Sequence, residues 1–147
     1  MPVHPLSLLR RPPLAHSAIE ACVARFAADR RYPQYRELEF VPWRGAYARE
    51  DGAACFLHRT PRLLVRHTCT VGARATAELR DHARDWVDAS AATLAPCANG
   101  HVYQGYADLR LEGWEEAYYG DAYPRLRRIK RRVDPGDVFR HAQSIPA

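Results

Sequence analysis

Polar and apolar positions change period several times along the chain, and each change marks an element. Ile19, Cys22, Val23 and Phe26 recur at helical spacing against Arg25, Asp29 and Arg30, the pattern of a helix with one buried stripe. Ser17 and Glu20 stand at capping-box spacing at its start, so each side chain is expected to satisfy one free backbone amide of the first turn. Pro33 ends the helix, since the residue before a proline is steered out of helical conformation. Glu37 to Val41 then alternates with period two and predicts a strand buried on one face and closed by Pro42. Residues 53–58 and 62–70 read as two further strands joined around Thr60 and Pro61. In the second, Leu63, Val65, His67, Cys69 and Val71 share one face, and Leu64, Arg66, Thr68 and Thr70 share the other.

Beyond Gly72, Thr76 is placed to cap a helix running to about Leu94. Its apolar stripe is Leu79, Ala83, Trp86, Val87 and Leu94. Pro96 and Asn99-Gly100 form a turn, and His101 to Tyr106 reads as a short last strand. Trp114 to Tyr119 predicts a short helix stopped by Gly120. Asp121 is the expected cap of a final helix, with Pro124 in its first turn and Leu126, Ile129 and Val133 on its apolar side. Asp134 to Asp137 then turns the chain, and Phe139 is the expected anchor of the tail. Pro2, Pro5, Pro12 and Pro13 make residues 1–14 a tail or linker. The order predicts an α+β fold: an antiparallel sheet of about four strands, helices packed on one face, and a C-terminal helical tail.

Composition narrows the class. With 147 residues, 47% hydrophobic and 27% charged, the chain is long enough for one domain with a real core. It has no apolar run of membrane-spanning length, and its proline- and arginine-broken start does not form the apolar core of a signal peptide. A cytoplasmic protein without membrane attachment is therefore expected. The net charge of +5 is almost all arginine, with Lys130 the only lysine. One cluster stands out, Arg125, Arg127, Arg128, Lys130, Arg131 and Arg132 on the final helix. Such a run is usually a solvated face, and without a recognition module or interleaved aromatics nucleic-acid binding is not expected. Cys22, Cys55, Cys69 and Cys97 lack C-x-x-C spacing, so neither a metal site nor a disulfide framework is predicted.

The last third carries the most specific signal. It reads Y-Q-G-Y-A-D at residues 103–108, then a stretch from Trp114 containing Y-Y-G-D-A-Y-P-R-L-R-R-I-K at 118–130. It closes with D-P-G-D-V-F at 134–139 and Q-S-I at 143–145. This string resembles the C-terminal segment of berberine bridge enzyme-like FAD-linked oxidases of the vanillyl-alcohol oxidase type. That family's pattern is Y-x-N-Y-x-D, W, Y-[YF]-G-x-N-[YF]-x-R-L-x-x-[IV]-K, D-P-x-N-x-F and Q-S-I. Trp43-Arg-Gly-Ala46 and His58-Arg59 match earlier family segments more loosely. The resemblance implies that residues 15–100 are part of an oxidase-like substrate domain and 101–147 the berberine bridge-like segment. Three family asparagines are replaced, by Gly105, Ala122 and Asp137.

The resemblance also implies the site. Tyr106 closes the Y-x-N-Y pattern and is the candidate catalytic base or substrate-orienting donor. Tyr103, His58 and Arg59 are candidate substrate contacts, and Gln104 and Gly105 candidate neighbours of the FAD. Read as a strand, 101–106 sends Tyr103 and Tyr106 to opposite faces unless Gly105 bulges. His58 and His67 lie in strand patterns, where a satisfied core histidine is the commoner role. Asp108 is read as a turn cap. The chain has eight glycines, none adjacent, and no phosphate loop. A separate FAD-binding domain or subunit in trans is therefore the expected partner, with a hydroxyl- or amine-bearing small molecule as substrate. A non-catalytic interaction module or a small-ligand binder is the alternative.

Overall fold

The computed structural model describes residues 6–9, 14–49 and 54–147. Three strands form one antiparallel sheet in the order β1-β3-β2: β1 is Leu6–Leu9, β2 Tyr35–Pro42 and β3 Leu63–Thr70. Four α-helices accompany it: α1 at His16–Ala27, α2 at Ala77–Leu94, α3 at Trp114–Tyr119 and α4 at Tyr123–Val133.

The register of β2 on β3 sorts the side chains. Leu38 stands opposite His67 and Phe40 opposite Val65, while Glu39 stands opposite Arg66 and Glu37 opposite Thr68. Cys69 packs with Val71, Ala83, Trp86 and Val87, and Val65 packs with Cys22 and Leu94. One face of the sheet is thus covered by α1 and α2, as the alternation predicts. The opposite face carries the charged residues and Leu64, which packs on Trp43. Buried Arg36 ties the layers together by donating to the carbonyls of Ala28 and Asp29, each at 2.5 Å. Ala28 is the C-cap of α1 and Asp29 the residue after it, where the helix ladder has ended. The Arg36 guanidinium also lies 4.7 Å from the Trp86 ring centroid.

The sequence reading meets several corrections. Leu6–Leu9, expected within a tail, pairs with β3, because a four-residue run between prolines suffices once a template strand is present. The capping box does not form: α1 starts at His16 with no side-chain cap, so Ser17 lies inside the helix and Glu20 contacts His16 at 3.3 Å. Residues 55–58 are irregular; Phe56 and His58 pack edge-on to Tyr103, so their alternation serves an aromatic cluster and not a ladder. The expected last strand at 101–106 contains a single 3-10 turn, Gln104–Tyr106. Among the described residues the sheet therefore has three strands where about four are expected. Thr76 caps α2 as predicted, its hydroxyl accepting from the Leu79 amide at 3.2 Å. Ala122 and not Asp121 precedes α4, again without a side-chain cap. Phe139 is 80% exposed and so does not anchor the tail within this chain.

The tail is held by polar groups instead. The Asp134 carboxylate accepts from the amides of Val138 and Phe139 at 2.9 and 3.1 Å. Lys130 bridges that carboxylate and the Phe139 carbonyl at 2.5 and 2.6 Å. Farther on, Gln143 donates to the Asp108 carbonyl at 2.7 Å and accepts from the Tyr118 hydroxyl at 3.2 Å. Asp137 has φ +48°, the left-handed conformation that asparagine and aspartate tolerate best among residues with a side chain. That conformation accounts for an aspartate replacing asparagine there.

Candidate active-site face

Trp43 is 5% exposed and its indole donates to the His58 carbonyl at 2.7 Å. Tyr47 stacks on it with centroids 4.5 Å apart, and Tyr103 meets it edge-on at 5.1 Å. Tyr103 in turn contacts Tyr106 at 5.9 Å, and Arg66 of β3 lies 5.3 Å from the Tyr106 ring centroid. Arg66 is held by Glu39 directly across the sheet at 2.8 Å, with Glu37 at 3.7 Å. An aromatic wall thus runs down to a carboxylate–guanidinium–phenol group on the sheet face that the helices leave open.

The 3-10 turn explains why both tyrosines belong to this face. With three residues per turn, side chains at i and i+3 eclipse, and the Tyr106 amide donates to the Tyr103 carbonyl at 3.0 Å. The expectation that Tyr103 points away from Tyr106 is thereby corrected. Tyr106 is 37% exposed.

The other predicted positions fall around this pair. His58 is fully buried behind Tyr103, its Nε2 paired with Gln104 Oε1 at 3.1 Å. Burial lowers its pKa below the usual imidazole range, which favours a neutral ring supporting Gln104. Arg59 lies over Phe56 at 5.4 Å and donates to the carbonyls of Tyr47 and Arg49; it braces the rim of the aromatic wall. Asp108 caps its turn as read, accepting from the Arg110 amide at 3.0 Å. Arg66, Glu37 and Glu39 were not singled out by sequence reading. The available signal was three charges on adjacent strands at positions sharing the non-core face, which pattern alone assigns to solvent.

The described residues fit only part of an FAD. The glycines with positive φ, Gly45, Gly100, Gly113 and Gly120, stand in separate turns and do not build a phosphate cradle. Aromatic edges, the Gln104 amide and the Tyr106 phenol fit a wall against a planar heteroaromatic ring. They do not supply an anion site for a pyrophosphate.

Comparison with known proteins gives this arrangement its context. Residues 102–146 match the family model described as berberine and berberine-like. This segment belongs to the berberine-like family. An uncharacterized FAD-linked oxidoreductase, YgaK, of Bacillus subtilis (strain 168) is 38% identical over 69 residues, covering 47% of this chain and 15% of YgaK. Berberine bridge enzyme-like D-1 of Nicotiana tabacum is 40% identical over 53 residues, 36% of this chain and 9% of that protein. The fold is similar to that of Physcomitrella patens BBE-like 1, with a TM-score of 0.81 at 20% identity, covering 99% of this chain and 30% of that one. The chain therefore spans less than a third of the length of that solved structure. No helix among its described residues is long and apolar enough to cross a membrane.

Proposed function

We propose that this chain is the substrate-domain and berberine bridge-like part of an FAD-linked oxidoreductase acting on a hydroxyl- or amine-bearing small molecule. The observation that carries the reading is the Tyr106 phenol. It is half-exposed, sits on the open sheet face, and has the Arg66 guanidinium against its ring. Tyr106 acts in its phenolate form, taking the proton from the substrate hydroxyl or amine and becoming a neutral phenol as hydride leaves the adjacent carbon. Arg66 keeps a fixed positive charge beside the phenol during that transfer, and the Glu39 carboxylate keeps Arg66 in place. Tyr103, Trp43 and Tyr47 border the substrate and exclude water from one side. His58 holds Gln104, and Gln104 and Tyr106 face the flavin ring. FAD, when bound, supplies the two-electron acceptor.

The phosphates and adenine are held by a flavin-binding domain or subunit, which this chain meets through open apolar surface. Val133, Val138 and Phe139 are 67%, 75% and 80% exposed beside the polar clamp of the tail. Exposed apolar residues gathered in one place mark a surface that something else covers.

The test joins this chain to a flavin-binding domain of its berberine-like relatives and follows flavin absorbance near 450 nm with oxygen consumption. The chain alone stays colourless after FAD addition, and the assembly becomes yellow and consumes oxygen with a substrate. Tyr106→Phe keeps the colour and lowers turnover by roughly 10²–10⁴-fold. An assembly that binds flavin and turns over unchanged with Phe at 106 would remove Tyr106 from the proton transfer.

A further inference from the structure

The sheet face beside Tyr106 carries more negative charge than its own cation neutralises. Glu37 and Glu39 are two residues apart on β2 and so project from the same face. A single cation answers both. Arg66 stands opposite Glu39 in the register and meets its carboxylate at 2.8 Å, whereas Glu37 is reached only at 3.7 Å. Neither glutamate has another cationic partner among the described residues. Arg59, at the aromatic rim, is turned onto Phe56 and the carbonyls of Tyr47 and Arg49. Thr68, which stands opposite Glu37, carries no charge. The Arg66 side chain is the most enclosed of the three at 21% exposed, and that of Glu37 is the most open at 42%. One carboxylate charge is thus left over, on the most accessible member of the group.

We infer that the substrate of this face carries a protonated amine on an aromatic or other planar apolar body, and that Glu37 is the residue selecting its charge. The two parts of that description have separate sources. Trp43, Tyr47 and Tyr103 supply a wall of ring faces and edges, against which a flat apolar body removes area from water. Glu37 supplies a charge-assisted acceptor for the ammonium donors. Tyr106 and Glu37 lie against the same guanidinium, so an ammonium at Glu37 keeps the rest of the molecule near the phenol. An anionic substrate meets the opposite balance: Arg66 is already engaged by Glu39, and the uncompensated Glu37 repels it. This rests on the proposed reading of the face as the substrate side; charge selection itself needs neither flavin nor turnover.

The test titrates the full chain with three probes of nearly one shape, phenethylammonium, phenethyl alcohol and phenylacetate. The ring resonances of Trp43, Tyr103 and Tyr106 report occupancy of the face. The ammonium should bind roughly two- to fivefold more tightly than the alcohol, the worth of one partly exposed ion pair, and phenylacetate should bind least tightly. Raising the ionic strength from about 0.01 M to about 1 M should erase the preference, since the screening length falls from about 30 Å to about 3 Å. Glu37→Gln should bring the ammonium down to the alcohol and leave the alcohol where it was. Arg66→Gln should widen the preference, because it leaves both carboxylates uncompensated. A general loosening of the face would move the two variants in one direction. An alcohol or carboxylate bound as tightly as the ammonium, variants that move together, or rings that respond to none of the probes would overturn the inference. Unchanged turnover in Tyr106→Phe would remove the proposed base and leave this selectivity standing.

Discussion

Lowering the pH should destabilise this protein through His67. The imidazole is fully buried between the sheet and α2, with Nδ1 bonded to the Ser90 hydroxyl at 2.8 Å and Nε2 without a hydrogen-bond partner. Burial pushes its pKa from the usual 6.5 down to about 4, since a charged ring in that setting would lack solvation. The unfolded chain therefore binds a proton more readily than the folded one, and stability is lost as pH falls from about 6.5 towards 4. Above 6.5 the ring is neutral in both states and has no effect. At about 1.36 kcal/mol per pH unit, linkage gives a loss of about 2 kcal/mol by pH 5 and about 3 kcal/mol by pH 4. That is a large part of an ordinary folding free energy. Urea denaturation at intervals between pH 7.5 and 4 measures the slope, with His67→Gln as the comparison, because glutamine can still bond Ser90 and does not titrate. The variant should lose markedly less stability than wild type across this window. Parallel pH curves for the two proteins would refute a buried neutral His67.

Two further changes test what holds the fold together. Gln143→Ala removes one bond from the Tyr118 hydroxyl and one from the Asp108 carbonyl. Tyr118 still accepts from the Asp108 amide and Asp108 still accepts from Leu111, so the cost sits at the low end, about 2 kcal/mol. Calorimetry should show a fall of roughly 6 °C, and a change near zero would mean that the C-terminal tail is not latched. Arg36→Met removes charge-assisted bonds to the carbonyls of Ala28 and Asp29. It should cost about 3 kcal/mol in chemical denaturation, well beyond the loss in the surface variant Arg131→Ala.

How far the chain was legible from sequence depends on the range of the interaction involved. The stripe of α2 with Thr76 as its cap, the two faces of β3, and the stop at Gly120 were all readable. Each is set by neighbours a few residues away. The misread segments are those in which distant residues decide. Leu6–Leu9 becomes a strand because β3 offers an edge. Residues 55–58 lose strand form because Trp43 and Tyr103 gather Phe56 and His58. The same holds for 101–106, where the Val102 amide bonds the Ala117 carbonyl of α3 at 2.9 Å and no strand stands alongside.

The motif that named the family divides along the same line, and the division bears on what it says about activity. Asp108, Tyr118, Lys130, Asp134 and Gln143 hold the C-terminal segment in place by hydrogen bonds to one another and to backbone. The matches that reach the open sheet face are Tyr103 and Tyr106, and they do so only because a 3-10 turn eclipses them. Most of the motif therefore encodes the attachment of a tail, and its persistence alone is a statement about folding. The proposed chemistry rests on the remainder: the Tyr106 phenol with Arg66 against its ring, and two strand glutamates paired with the guanidinium. Of the three exchanged asparagines, Asp137 keeps the backbone conformation and Ala122 sits in ordinary helical geometry. Gly105 alone lies among the proposed site residues, with the Tyr103 ring against it.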